Sequence, residues 1–516
     1  MTTLTSEGRR TVAKDAAISL FAQALGLSTV PASTEIAGGR EFLKFKIGRN
    51  APVYDQALRD TLKNLPSDNP YHGLLGFNIE PDVRFPLSLE ADVLRGILAR
   101  STRVISSADR PGPLIQYVPF QNNEETLVIQ PATHLIIGRR GVGKSTLISR
   151  ARELLKRSGA LCVVLDAQAY KKTTDESLIL DVISDLARSI GRVARGSKNL
   201  AESAEQLEKF AQSVADGEIA AARLSATFKR LVESLTRSAK ADLFIFLDDF
   251  HLIQVECQPS LIETIHGSLK GAGGWLKVAG LQSLLKAYDP RSKMGLQTPG
   301  DAQVISLDLT LMDPEAAEDH LRKILTSFLQ MVGIDKPNQA IAEKAFQRLV
   351  WANAGVPRDF LQMFASSIEH AARAGRAKVE LTDTNLAIGE LGQQKMSDLE
   401  DDARNEEGQL KDVLNTIEKY CLGKKKINAF LIRSEASEDH KWVVTLSDLR
   451  LLHILHKTIT PHKAGERYEA YMLDYSLFTG FRRRPNINQI MPADGKQFKA
   501  AELRKIPILP KGLIKG

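Results

Sequence analysis

Cysteine is scarce in this chain of 516 residues. There are three, Cys162, Cys257 and Cys421. They are odd in number and far apart, which excludes a disulfide framework and a paired-cysteine metal site. A reducing, cytoplasmic setting is the expectation. Long hydrophobic runs are missing as well. No stretch approaches the roughly 20 apolar residues of a membrane span, so no membrane partner is expected. The opening "MTTLTSEGRRTVAKD" carries charge but no apolar core and does not read as a secretory signal. Internal repeats and long low-complexity tracts are absent, which excludes a repeat array.

What remains is ordinary globular composition, 43% hydrophobic and 25% charged, in a chain too long for a single core. The net charge of +7 is unevenly placed. From Lys441 onward there are 14 Lys and Arg against 6 Asp and Glu, a balance of +8, which leaves −1 for the first 440 residues. An acidic stretch, "SDLEDDARNEEGQLKD", stands just before. A basic end suits an anionic partner, nucleic acid first, or a solubilising surface.

The sharpest signal is "LIIGRRGVGKSTLIS". An apolar run, "THLII", suits a strand buried on both faces, and "KSTLISRARELLKRSG" reads as a helix closed by glycine. Between them Gly138, Gly141, Gly143, Lys144 and Ser145 fit G-x-x-x-x-G-K-[ST], with Arg139, Arg140, Val142 and Thr146 completing the loop. Such a loop wraps backbone amides around phosphates at a helix N-terminus. Lys144 would reach the β- and γ-phosphates of ATP, and the Ser145 hydroxyl would hold Mg²⁺. A second run, "ADLFIFLDDFHLI", places Phe244 to Leu247 as a buried strand delivering Asp248 to the metal. Asp249 is then the candidate to polarise the attacking water. Alternatively the acidic pair caps the next helix.

Three more strands are expected, Ala160 to Tyr170 ending at Asp166, Gly274 to Ser283, and Ala302 to Leu309. Long helical patterns separate them, so the fold class is α/β with a parallel sheet. The two motifs resemble those of one large division of P-loop ATPases, in which a strand such as 274–283 lies between the two motif strands and ends in a polar residue near the γ-phosphate; Gln282 or Ser283 could fill that place. Beyond residue 312 the chain turns helical. In "GVPRDFLQMFASSIEHAARAG", Pro357 suits the first turn of a helix whose buried stripe is Phe360, Leu361, Phe364 and Ile368. Arg358 sits in that first turn, where the helix dipole disfavours a cation unless it faces an anion.

Together, the phosphate loop, the hydrophobic strand ending in two aspartates, the later polar-ended strand and the G-V-P-R helix resemble the AAA+ superfamily. Within it they are most similar to the origin-recognition ATPases and the STAND switch ATPases, over roughly Ile129 to Asn385. The resemblance implies a P-loop ATPase core with a helical lid whose arginine, Arg358 here, reads the γ-phosphate. It also implies ATP sandwiched between subunits of a homo-oligomer, with Arg291 in the interval that supplies the arginine finger. Two departures touch hydrolysis. Asp249 stands where many relatives carry Glu, and Gly280-Leu281-Gln282 stands where Asn, Thr or Arg is common. Slow turnover is expected.

The expected division is 1–125, a mixed α/β N-terminal region; 126–312, the ATPase core; 313–395, the helical lid; and 396–516, a basic winged-helix-like module. In the last, "SDLRLLHILHKT" is expected to be a helix capped by Ser447. A second, aromatic-rich helix would contain Tyr468, Tyr471, Tyr475 and Phe478, with Arg482, Arg483 and Arg484 after it as phosphate contacts for double-stranded DNA. His453, His456 and His462 have no matched carboxylate or cysteine, and no metal is assigned to them. The expected function is an ATP-dependent assembly switch of prokaryotic type on DNA. The alternative is a STAND-type signalling ATPase, for instance in antiviral defence, acting on a protein effector. A metabolic kinase would leave the lid and the basic end without use.

Overall fold

A computed structural model of the chain describes residues 6–81, 84–102, 117–173, 175–219, 221–403, 407–434, 437–460, 466–479, 486–490 and 498–513. Helix α1 (Ser6–Leu25) leads into the hairpin β1 (Ala32–Ala37) and β2 (Arg40–Ile47). After helix α2 (Pro52–Asn64), strand β3 (Leu75–Ile79) joins parallel to β2. Alternation in "REFLKFKI" turns Leu43, Phe45 and Ile47 inward, and the Phe45 ring stacks on Phe21 of α1 at 3.9 Å. Helix α3 (Leu89–Thr102) follows.

The central unit begins with α4 (Glu124–Val128), β4 (His134–Ile137), α5 (Lys144–Arg157) and β5 (Leu161–Asp166). Three helices come next, α6 (Asp175–Ala194), α7 (Ala201–Ala215) and α8 (Ala221–Ala239). Then come β6 (Leu243–Asp248), α9 (Gln258–Leu269), β7 (Gly274–Gly280), a small hairpin of β8 (Tyr288–Asp289) and β9 (Met294–Gly295), and β10 (Gln303–Ser306). The five long strands form an all-parallel sheet in the order β10-β4-β7-β6-β5. Strand β7 therefore lies between β4 and β6, as the sequence resemblance implies.

Both faces are covered, which is why these strands read as unbroken apolar runs. Ile136, Phe244, Phe246 and Ala279 pack with Leu147, Ile148 and Ala151 of α5. Leu135, Ile245, Leu247, Leu276 and Val278 pack on the other face with residues of α6, α8 and α9. Each such side chain contributes about 1.5–3 kcal/mol on burial. The strands expected at 274–283 and 302–309 end sooner, at Gly280 and Ser306, and the one expected to end at Asp166 does so.

Helices α10 (Pro314–Met331), α11 (Glu343–Asn353), α12 (Pro357–Arg373) and α13 (Leu381–Ala403) follow. Asp313 caps α10 by accepting from the Ala316 amide at 3.0 Å, and the expected stripe of α12 is buried. The chain continues through α14 (Glu407–Glu418), β11 (Ala429–Arg433), α15 (Glu438–Asp448), β12 (Leu452–Ile459) and β13 (Tyr468–Leu473). These three strands form an antiparallel sheet in the order β11-β13-β12.

Two expectations for this end are corrected. Ser447 does not start a helix; it lies in the last turn of α15, and the residues after it form β12. The true cap is Ser437, whose hydroxyl accepts from the His440 amide at 3.3 Å, with Glu438 and Asp439 behind it in the first turn. Arg450, with φ +67°, turns the chain out of the helix. The aromatic-rich helix is instead strand β13, with Tyr475–Leu477 a short 3-10 turn. Tyr468 and Tyr471 are rich in β-propensity, and β13 is the central strand of its sheet. Residues of the N-terminal sheet, the 314–403 helices and the C-terminal sheet share one continuous hydrophobic core. No helix among the described residues is long and apolar enough to cross a membrane.

Candidate functional site

The loop from Gly138 to Thr146 joins β4 to the N-terminus of α5. Gly141 and Gly143 adopt φ of +82° and +111°, a region open to glycine. At Gly141 space adds to the requirement, because a Cβ would stand 2.9 Å from Cβ of Arg358. The Lys144 ammonium donates to the carbonyls of Gly138 (2.7 Å) and Arg139 (3.1 Å). Burial pushes its pKa down, opposed by Asp249, Asp308 and Asp248. The lysine is thus held inside its own loop, with acidic groups around it.

Strand β6 delivers Asp248, which hydrogen-bonds the Ser145 side chain. Burial raises its pKa, against the pull of Ser145, the Asp249 amide and Lys144. Asp249 follows in a left-handed conformation, φ +50°, and its amide donates to Asp248 Oδ1 at 2.9 Å. Its pKa is pushed up to about 6, by burial first and then by Asp248. Two features here escaped the sequence reading. Asp166 pairs in register with Asp248 across β5 and β6, adding a third acidic group. His251 lies near Lys144 and Arg140; burial and these cations lower its pKa to about 3, and its Nδ1 has no hydrogen-bond partner among the described residues.

Arg358 lies against the loop. Its amide donates to the Gly141 carbonyl at 3.2 Å, and burial, then Arg450 and Arg140, push its pKa down. Arg139 turns to other work. It is 3% exposed, its amide and Nε both reach Asp308 Oδ1 at 3.0 and 3.1 Å, and its Nη2 donates to the carbonyls of Leu309 and Ala354. The side chain ties the loop to the strand-to-helix connection and to the end of α11.

The end of β7 divides the two polar candidates. The Ser283 amide donates to Asp448 Oδ2 at 2.8 Å. Gln282 is exposed and lines a groove of about 550 Å³ beside Leu135, Ile137 and Val304. Arg291 lies in the exposed turn of the β8–β9 hairpin, and it is not among the groups that act on Lys144 or Asp249. Arg482, Arg483 and Arg484 lie outside the described residues. Of the histidines, His453 is buried and bonded to Asp474 at 2.7 Å, and His462 lies outside the described residues.

A small cavity of about 70 Å³ adjoins Gly143 and Thr146, walled by Tyr117, Val118, Phe120, His320, Phe328 and Leu361 among others. Phe120 stacks on His320 at 5.0 Å. Burial, then Lys323, lowers the His320 pKa to about 4, leaving a neutral ring. No carboxylate lines this cavity among the described residues. These residues are far apart in sequence, so only the fold reveals the pocket.

The parts fit a nucleotide triphosphate. The loop carries two left-handed glycines beside a lysine at a helix N-terminus, and an apolar, aromatic cavity lies at the other end. A Mg²⁺ ion fits as well, since it needs only one or two protein oxygens plus phosphates, and Ser145 and Asp248 are already together. Strand order, loop and paired aspartates define a P-loop NTPase core. Residues 130–287 match the family described as the AAA ATPase domain, and the AAA+ resemblance stands over that stretch.

Several solved structures are similar at a distance. The Aeropyrum pernix ORC1 protein in complex with DNA has 15% identity and a TM-score of 0.37, covering 70% of this chain and 91% of that one. Cdc6p from Pyrobaculum aerophilum has 13% identity and a TM-score of 0.35, covering 71% and 93%. The Thermotoga maritima RuvB Holliday junction branch migration motor has 13% identity and a TM-score of 0.31, covering 58% and 75%. No curated protein matches the chain.

Proposed function

We propose that this chain is an ATP-binding and hydrolysing switch whose nucleotide state controls its assembly, in the cytoplasm, on double-stranded DNA. The observation that carries the nucleotide part is the convergence of Lys144, Ser145, Asp248, Asp249 and Arg358 on one loop from three separate parts of the chain. The base would enter the cavity at Phe120 and His320. Among the described residues no carboxylate lines it to read the donor edge of guanine, which favours adenine.

Lys144 would leave the loop carbonyls for the β- and γ-phosphates, with the loop amides behind it. Bound Mg²⁺, held by Ser145 and Asp248, would neutralise developing phosphate charge. Asp249 would accept a proton from a water as that water's oxygen attacks the γ-phosphorus and the bond to the ADP oxygen breaks. Asp249 makes no side-chain hydrogen bond among the described residues, which leaves it available for this role. Arg358 would steady the γ-phosphate, and Arg291 of a neighbouring copy would complete the site in a homo-oligomer.

The DNA part rests on the +8 balance after Lys441. A titration with duplex DNA at low salt, with and without ATP, tests it. The hydrogen bond between Asp448 and Ser283 favours a second reading, a signalling ATPase of STAND type that acts on a protein effector. Absence of DNA binding under all these conditions would leave that reading in place.

A further inference from the structure

Of the residues at the end of β7, Gly280 and Leu281 bring no polar side chain. Gln282 lines the groove beside Val304, and Ser283 is tied by its amide to Asp448. The turn after β6 packs against this end instead, since a Cβ on Gly280 would stand 3.5 Å from the amide nitrogen of His251. That turn is firmly held. Phe250 is fully buried at its centre, and the Leu252 amide donates to the Asp249 carbonyl at 2.9 Å. Asp249 and His251 thus flank an anchored residue, and both act on Lys144 of the phosphate loop or are acted on by it.

Deep in the lid and the C-terminal core, buried charges are matched. Asp359 pairs with Arg450 and lies 3.1 Å from Lys395, which holds Asp474 at 2.6 Å. His251 has no such match. Its ring is mostly buried, and Nδ1 is closed off from water with no hydrogen-bond partner among the described residues. Native proteins leave few buried polar atoms unpaired, so a lone nitrogen beside a phosphate loop points to a partner that arrives with the nucleotide. Burial, Lys144 and Arg140 keep the ring neutral. A neutral imidazole has one bare nitrogen, which accepts a hydrogen bond. Phosphate oxygens bring no hydrogen to it, whereas a water beside Asp249 does.

We propose that His251 positions the attacking water, the place that β7 leaves unfilled. The water donates one hydrogen to the Asp249 carboxylate and the other to the bare ring nitrogen of His251, which turns its oxygen toward the γ-phosphorus. As the oxygen–phosphorus bond forms and the bond to the ADP oxygen breaks, the proton passes to Asp249. His251 takes none. This role rests on the nucleotide reading above.

Steady-state turnover and calorimetric titration of the full chain with ATP, with ADP, and with ADP plus aluminium fluoride test this on His251→Leu and His251→Asn. The two replacements have nearly the same shape, and only asparagine carries polar atoms near the place of Nδ1. Loss of one hydrogen bond to the water is worth about 10- to 100-fold. His251→Leu should lower kcat by that factor. It should weaken by the same factor the aluminium fluoride complex, which mimics the transferring phosphoryl group, and leave ATP and ADP affinities unchanged. His251→Asn should recover part of both losses. The analogue reads the role even where turnover is too slow to follow. If His251→Leu fails to fold, as loss of ADP binding would show, His251→Phe serves as the apolar member. Wild-type turnover and wild-type affinity for the aluminium fluoride complex in the apolar variant overturn the proposal, as does a loss of ATP affinity equal to the loss of turnover. A wild-type chain that binds no ATP removes the nucleotide reading, and this role with it.

Discussion

The carboxylate of Asp448 accepts the amide hydrogen of Ser283 at 2.8 Å, so the C-terminal part of the chain touches the end of the strand between the two motif strands. Burial pushes the Asp448 pKa up, with Ser283 opposing. Asp448→Ala would leave a half-buried amide without its acceptor, a loss of about 1–3 kcal/mol. A lowered melting temperature is expected, along with faster ATP turnover if this bond restrains the site. Asp448→Asn, which keeps an acceptor oxygen, should lie close to wild type in both measurements.

Lys144→Ala should remove most affinity for ATP and lower the melting temperature modestly, because it leaves two buried loop carbonyls without their donor, a loss of about 1–3 kcal/mol. A fluorescent ATP analogue measures the first and calorimetry the second. Unaltered binding would mean that the loop is not the phosphate cradle.

Asp249→Asn should bind ATP and turn it over about 10²–10⁴-fold more slowly. Asp248→Asn should also lose Mg²⁺-dependent binding. With a pKa raised to about 6, Asp249 is protonated below that value and cannot accept a proton. Wild-type turnover should therefore rise as pH climbs through about 6 and level off above it, and Asp249→Asn should lack that limb. A flat wild-type profile from pH 5 to 8 would assign the base elsewhere.

Arg291→Ala should lower turnover more than ATP affinity, and it should do so only at protein concentrations where ATP with Mg²⁺ drives assembly, as followed by light scattering. Turnover per chain that ignores protein concentration would remove Arg291 from the reaction.

Replacing Arg482, Arg483 and Arg484 together should weaken duplex binding and flatten its salt dependence, by about one unit of slope for each DNA phosphate that is no longer neutralised. ATP affinity should hold. Filter binding at several salt concentrations reads both quantities.

The phosphate loop and the Asp248–Asp249 strand were legible because their signals are local. An apolar run, a turn and a helix suffice for the loop, and a buried strand with its terminal acids for the second motif. The strand order needed the resemblance, since nothing in "GWLKVAG" itself says that it inserts between β4 and β6. The cavity beside Gly143 could not be read, because Tyr117, Phe120 and His320 meet only in the fold. The same holds for Asp448 and Arg450. The C-terminal elements misled because the spacing of Tyr468, Tyr471 and Tyr475 fits a helix and a strand followed by a turn about equally. The deciding fact is non-local, namely that β13 fits between β11 and β12. Ser447 had the composition of a cap, but Ser437, with two acids behind it, had both composition and charge.

The chain of buried charges from Asp359 through Lys395 to Asp474 bears on anyone who would cut this protein into pieces. Asp359 and Asp474 are fully buried and Lys395 is 1% exposed. Burial works to raise the Asp359 pKa, but Arg450 and Lys395 hold it below the usual carboxylate range. A fragment ending after α13 would keep Asp359 and Lys395 and lose Arg450, His453 and Asp474. Removing one partner of such a cluster costs about 3–5 kcal/mol, a large share of the stability of a typical fold. The recombinant ATPase half should therefore express poorly, while limited proteolysis of the intact protein should yield two halves that stay bound to each other.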